Sequence, residues 1–160
     1  GIKHFTVVLS HWHLDHIAGN EVFKDCDIIS NALTHEHLLN NKAPIETGRC
    51  EGPPAIKPLV LPNITFEEKL CIYLDDLELK LQKINIHSRD ATIVYIPGDN
   101  ILFAGDTLMN AKKGFILSGW AENHEALRSS VERLMALPVK TVYPGHLKSF
   151  PMAQFLKKNR

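Results

Sequence analysis

Cysteine is scarce in this chain: Cys26, Cys50 and Cys71 are far apart, odd in number and without a CxxC pair. A disulfide framework, a zinc ribbon and a dithiol redox motif are therefore excluded as organising chemistry, and buried or free thiols are expected. No apolar run approaches the ~20 residues that a membrane helix needs, and no signal peptide is visible. Net charge is lacking too, because 18 Lys and Arg stand against 18 Asp and Glu. A protein that grips nucleic acid through a strong positive field is not expected from that balance. The expectations are a cytoplasmic protein with a small-molecule substrate, no membrane and no nucleic acid. The chain starts at Gly1 instead of Met, which leaves open a segment removed or left out.

The 160 residues are enough for one domain, 1–160, and too few for two comfortable ones. A chain of this size buries roughly 70% of its unfolded surface and needs no covalent staples. Hydrophobic residues make up 44% and charged residues 22%, an ordinary globular balance.

Residues 5–9 form a short β-branched run and read as a buried strand. A short helix is expected over 17–24, with Ile17, Ala18 and Val22 packing, then a strand over 27–30. Asn31 is a fitting cap for a helix over 32–39. Residues 42–63 carry Pro44, Pro53, Pro54, Pro58 and Pro62, and read as a long loop with little room for regular structure, a candidate lid. Leu77, Leu79 and Leu81 alternate with polar residues as a half-buried strand requires, and that strand is expected to reach Ile86. Strands follow over 91–96, 101–104 and 141–143, with a turn at Pro97-Gly98-Asp99-Asn100. The clearest helix is 125–137, where Leu127, Val131, Leu134 and Met135 form an apolar stripe. The expected class is mixed α/β in layers.

Histidine is distributed unevenly. Three of nine fall within six residues, in His11-Trp12-His13-Leu14-Asp15-His16. A metal that activates water needs several neutral imidazoles and a few carboxylates converging on one point. His11 and His13 can converge at a strand end, while Asp15 and His16 follow where the loop has turned into a helix. Two donor groups of different chemistry point to two metal positions ~3.5–4 Å apart. Gly19 permits a close backbone approach. Further ligand-type residues, His87, Asp106 and His146, each follow a predicted strand, where sites in layered α/β folds collect.

The run His11 to His16 with Gly19 resembles the HxHxDH signature of the metallo-β-lactamase superfamily. Phe103-Ala104-Gly105-Asp106-Thr107-Leu108 resembles its F-x-G-D-T-L segment, and Tyr143-Pro144-Gly145-His146 its terminal P-G-H. Order and spacing agree over nearly the whole chain. The resemblance implies an αββα layered sandwich. It also implies His11, His13 and His87 at a first metal, Asp15, His16 and His146 at a second, and Asp106 bridging them. It implies two zinc ions, with iron or manganese as alternatives, and a metal-bound hydroxide acting on an ester, thioester, amide or related bond. Asp15 and His16 are the implied catalytic residues, Asp15 orienting the hydroxide.

Three departures stand out. Many relatives have G-H-T around the third histidine, where this chain reads Ile86-His87-Ser88-Arg89-Asp90. Some true β-lactamases place a cysteine ligand where this chain has Asp106. Relatives also carry several strands before HxHxDH, whereas ten residues precede it here. The fold is therefore expected to be N-terminally truncated, with an unpaired edge covered by missing residues, a partner or a second copy.

His35 and His37 also read H-x-H, but on a helix i and i+2 point apart, so both are expected at the surface. His4 and His124 read as solvated, Lys157 to Arg160 as a solvated tail, and Trp12 as a core residue between two ligands. Arg89 beside Asp90 reads as a surface or supporting ion pair, with binding of an anionic substrate group as the alternative. Two other functions fit the motifs: a sulfur dioxygenase with one iron on the same fold, and a catalytically impaired fragment or metal-binding subunit. Flavodiiron reductases fit less well, because they carry glutamate at the position of His13.

Overall fold

The computed structural model describes residues 5–111, 114–117 and 120–158. The chain forms two compact units, Gly1–Glu67 and Glu68–Arg160. His4, Asn159 and Arg160 lie outside the described residues.

In the first unit the strands β1 (Thr6–Val8), β2 (Asp27–Asn31) and β3 (Ile64–Phe66) form a parallel sheet in the order β1-β2-β3. Val7 pairs with Ile28, and Ser30 with Thr65. Parallel neighbours need long connections. The first contains the helix α1 (Leu14–Ile17) and a 3₁₀ turn over Asn20–Phe23. The second contains α2 (Ala32–Asn40) and α3 (Lys42–Glu46). Leu9, Ile17, Ile28, Leu38, Ile45 and Leu59 make the core of this unit.

Three expectations are corrected here. The helix expected over 17–24 is split: α1 ends at Ile17, and a tighter turn follows. With the turn so placed, Asn20 is buried and donates to the Val60 carbonyl at 3.0 Å, while Val22 is 82% exposed and Ala18 is also exposed. A Cβ added at Gly19 would meet no atom within 4 Å, so among the described residues there is no close approach at that glycine. The segment 42–63 is not devoid of regular structure, because α3 forms across Pro44. Proline is tolerated there because first-turn N–H groups have no intrahelical acceptor. Ile45 and Leu59 are buried, and Glu46 Oε1 accepts from the Leu59 N–H at 2.9 Å.

Asn31 is the expected cap, and it does more. Its Oδ1 accepts from Leu33 N–H at 3.1 Å, and its Nδ2 donates to the carbonyls of Phe66 and Glu67 at 3.1 and 2.5 Å. Asn31→Ala removes a helix cap and also strips partners from buried polar groups. Chemical denaturation is expected to show a loss of about 2–4 kcal/mol, against about 1 kcal/mol for Asn123→Ala, an exposed cap. Equal losses would refute a special role for the three-way bond.

The second unit holds β4 (Lys69–Leu74), β5 (Leu77–Lys83), β6 (Thr92–Ile96), β7 (Ile101–Gly105), β10 (Thr141–Pro144) and β11 (Phe150–Pro151). These form one sheet in the order β11-β10-β7-β6-β5-β4. β4 to β7 run as an antiparallel meander, whereas β10 lies parallel to β7 and so requires a crossover. The hairpin β8 (Leu108–Ala111) and β9 (Gly114–Leu117) and the helix α4 (His124–Met135) lie in that connection. Asn123 Oδ1 caps α4 by accepting from Ala126 N–H at 2.8 Å. Leu134 is fully buried, Leu127, Val131 and Met135 pack beside it, and Arg128 and Glu132 pair at 3.9 Å on the exposed side. The predicted stripe is thus the packed face.

The expected tail is partly helical, since Lys157 and Lys158 belong to α5 (Met152–Lys158), anchored by buried Met152 and Phe155. Cys26 and Cys50 are half-buried free thiols and Cys71 is an exposed one. Burial pushes the Cys50 thiol up, and the neighbouring Glu51 carboxylate adds to the shift. No helix among the described residues is long and apolar enough to cross a membrane.

Candidate metal centre

Each unit assembles one group of the predicted ligands. In the first, β1 ends at Val8, and the chain then bends at Trp12 and reaches His13, at φ −57° and ψ 146°, before turning into α1. This loop path brings the rings of His11 and His13 together, with centroids 4.6 Å apart. His11 Nε2 lies 2.9 Å from His13 Nδ1. The turn then brings His16 beside His11, with ring centroids 4.1 Å apart, and Asp15 Oδ2 lies 3.3 Å from His16 Nε2. His11 is buried and Asp15 is exposed. The other edge of His13 faces a carboxylate, with Nε2 3.9 Å from Glu51 Oε1.

Trp12, between His11 and His13, packs on the core of its unit. It also meets His37, with ring centroids 3.9 Å apart and planes tilted by 32°. His37 is therefore not a plain surface residue: α2 turns it back onto Trp12, and both His35 and His37 are half-buried. Neither belongs to a ligand group among the described residues. His124 is exposed, as expected.

In the second unit, His87, Asp106 and His146 converge. The strand expected to reach Ile86 stops at Lys83. Residues 84–91 form a tight excursion closed by Ile84 N–H to the Ala91 carbonyl at 2.7 Å, with a bridge between Ile86 and Ser88. His87 stands at its tip with φ +76°. A left-handed non-glycine residue costs conformational energy and is held by its surroundings. Here the His87 N–H donates to the Trp120 carbonyl at 2.9 Å, and the Asn85 N–H donates to Ser130 Oγ on α4 at 3.0 Å. Arg89 is exposed while Asp90 is buried.

Asp106 is presented by a similar device. β7 ends in Gly105 at φ +51°, and the chain then turns, with Thr107 Oγ1 donating to the Ala104 carbonyl at 2.6 Å. Gly145 N–H donates to the Gly105 carbonyl at 2.7 Å, fastening the end of β10 to the end of β7. That bond sets His146 beside Asp106. Asp106 Oδ2 lies 3.6 Å from His87 Nε2 and 3.5 Å from His146 Nε2. Asp106 is 8% exposed, whereas the His146 side chain is about half exposed.

The donor chemistry fits a divalent transition metal: imidazole nitrogens and carboxylate oxygens, with no thiol in the groups. Metal–nitrogen bonds of ~2.0–2.1 Å in a tetrahedron leave neighbouring ligands roughly 3.3 Å apart. The His–His separation of 2.9 Å and the His–Asp separations of 3.5 and 3.6 Å bracket that value. Sequence reasoning missed Ser10, whose hydroxyl touches two of the histidines, although its place directly before His11 was a usable signal. It also missed Glu51, whose approach to His13 depends on the path of the 42–63 segment.

Residues 6–146 match a family model described as the metallo-beta-lactamase superfamily. No match is found among curated protein sequences. Among solved structures, a metallo-beta-lactamase from Pontibacter korlensis is similar at 20% identity and TM-score 0.70, over 96% of this chain and 67% of that one. TTHA1623, described as a di-iron-bound form, is 24% identical at TM-score 0.72, over 95% of this chain and 74% of that one. The DIM-1 metallo-beta-lactamase, described as exposed to ceftazidime, is 21% identical at TM-score 0.64, over 94% and 64%. These likenesses establish the mixed α/β fold. The chain spans about two thirds to three quarters of the length of these relatives.

Proposed function

Because the chain belongs to the metallo-beta-lactamase superfamily, we propose that it is a metal-dependent hydrolase in which the two histidine–aspartate groups together hold a pair of zinc ions. The observation that carries this reading is that every predicted ligand falls into one of two ready-formed donor groups, one built after the end of β1 and one from the 84–91 excursion and the ends of β7 and β10. In the proposal His11, His13 and His87 hold one ion, Asp15, His16 and His146 the other, and Asp106 bridges them. Bound there, divalent ions supply Lewis acidity and water of lowered pKa. Asp15, exposed beside His16, would also orient that water. The half-exposed His146 leaves the outer edge of its group open to a small-molecule ester, thioester or amide. Buried His11 and Asp106 keep the inner donors in a low-dielectric setting, where their pull on a cation is stronger.

The test is metal analysis of protein purified without added metal, followed by chelation and reconstitution. Chelation is expected to abolish hydrolysis of a chromogenic ester, and zinc to restore it. Zinc at ~100 times its dissociation constant raises unfolding free energy by about 2.7 kcal/mol. A protein with no metal uptake and no zinc-dependent rise in thermal midpoint would contradict the proposal. The di-iron form of one similar structure gives iron a specific claim. One iron per chain, with oxygen uptake on a persulfide, would replace the hydrolase reading by that of a sulfur dioxygenase.

A further inference from the structure

Ser10 has one hydroxyl and two imidazole neighbours. Its Oγ lies 3.0 Å from His11 Nδ1 and 3.3 Å from His16 Nδ1. Both contacts are to the same kind of ring nitrogen, from residues that the resemblance assigns to different metal positions. We propose that Ser10 is a positioning residue whose single hydroxyl holds the Nδ1 edges of both His11 and His16, tying the orientation of one ring to that of the other.

A hydroxyl carries one proton and two lone pairs. It can accept from both Nδ1–H groups, or accept from one and donate to the other. In the first arrangement both Nε2 atoms carry a lone pair, as metal ligation requires. In the second, one ring has its proton on Nε2 and is not ready to ligate. His11 Nε2 already faces His13 Nδ1 at 2.9 Å, and His16 Nε2 faces Asp15 at 3.3 Å, so the Nε2 edges are those turned to the other donors. Ser10 thereby joins the two metal positions through their protein ligands. Removing its hydroxyl is expected to weaken both ions instead of one. This consequence for metal rests on the function proposed above, whereas the hold on the rings does not.

Two measurements separate the two ideas. In metal-free protein, long-range proton–nitrogen spectra of the imidazoles report the tautomer of each ring. Ser10→Ala is expected to change the populations at His11 and His16 together, while Ser10→Thr, which keeps the hydroxyl, preserves them. Ser10→Cys, with a thiol that bonds weakly, is expected to follow the alanine variant and serves if that variant does not fold. In competition with a chromogenic chelator, Ser10→Ala is expected to bind both zinc ions ~10–100-fold more weakly, the range for loss of a ligand's supporting partner, with threonine near the wild type. Unchanged ring populations in the alanine and cysteine variants, or a change at one ring alone, would overturn the shared hold. A wild-type protein that takes up no zinc, with both rings still responding to Ser10→Ala, would overturn the metal reading and leave the hold on the rings supported.

Discussion

Asp106→Ala is expected to remove most of the second metal ion and to lower ester hydrolysis by more than ~100-fold, exceeding the 10–100-fold range for a residue that only supports a ligand. Asp106 Oδ2 is the oxygen that both His87 Nε2 and His146 Nε2 approach, at 3.6 and 3.5 Å, and the carboxylate is 8% exposed. In the proposed function it is shared by both ions, so its loss acts on both positions at once. The turn that carries it is held by backbone bonds and by Thr107 Oγ1, and its carboxylate also faces His87 and His146. The zinc-induced rise in midpoint, measured for each protein against its own metal-free form, is expected to shrink in the variant. Elemental analysis, a chelator competition and a melting curve check the three parts. A variant with full turnover and two zinc ions would end the dinuclear assignment.

Leu102→Ala is expected to cost about 2–5 kcal/mol, the range for cutting back a buried leucine in a core that relaxes only partly. Leu102 is fully buried on β7, paired with Tyr95 on one side and Val142 on the other, in the same core as Leu134 and Phe155. Domains are commonly stable by only ~5–15 kcal/mol, so this one change removes a large share. Phe103 provides the control. It faces outward from the same strand, is 44% exposed, and stacks on Tyr143 at 5.3 Å. Phe103→Ala is expected to lose about 0.5–1.5 kcal/mol, the scale of an aromatic pair. Urea denaturation with an unchanged slope distinguishes the two. Similar losses would mean that the core of the second unit does not centre on β7.

Much of the local structure was legible before any fold was known. The cap at Asn31 and the stripe Leu127, Val131, Leu134, Met135 appear where they were read, and the β-branched run before His11 is a strand, but an exposed to half-buried one and not the buried strand expected, with β2 as its one neighbour in the sheet of the described residues. The parts that were missed have weaker or more distant causes. α3 was hidden because Pro44 reads as a breaker, though it falls in a first turn where no donor is needed. β8, β9, β11 and α5 are short, and none shows a long run of alternation or stripe.

The same division runs through the metal centre. His11, His13, Asp15 and His16 were legible as one group because a strand end followed by a helical turn brings neighbours in sequence together. His87, Asp106 and His146 could be named from their motifs, but no local rule brings His87 and His146 to within 3.6 Å of Asp106. Tertiary structure decides that, through the left-handed backbone at His87, the positive φ at Gly105, and the bond from Gly145 N–H to the Gly105 carbonyl that fastens β10 to β7. Residue type and spacing are properties of the chain by itself, so the sequence determined which side chains have the chemistry to ligate. Convergence depends on hydrogen bonds between residues about 40 positions apart, and only the folded sheet could supply it.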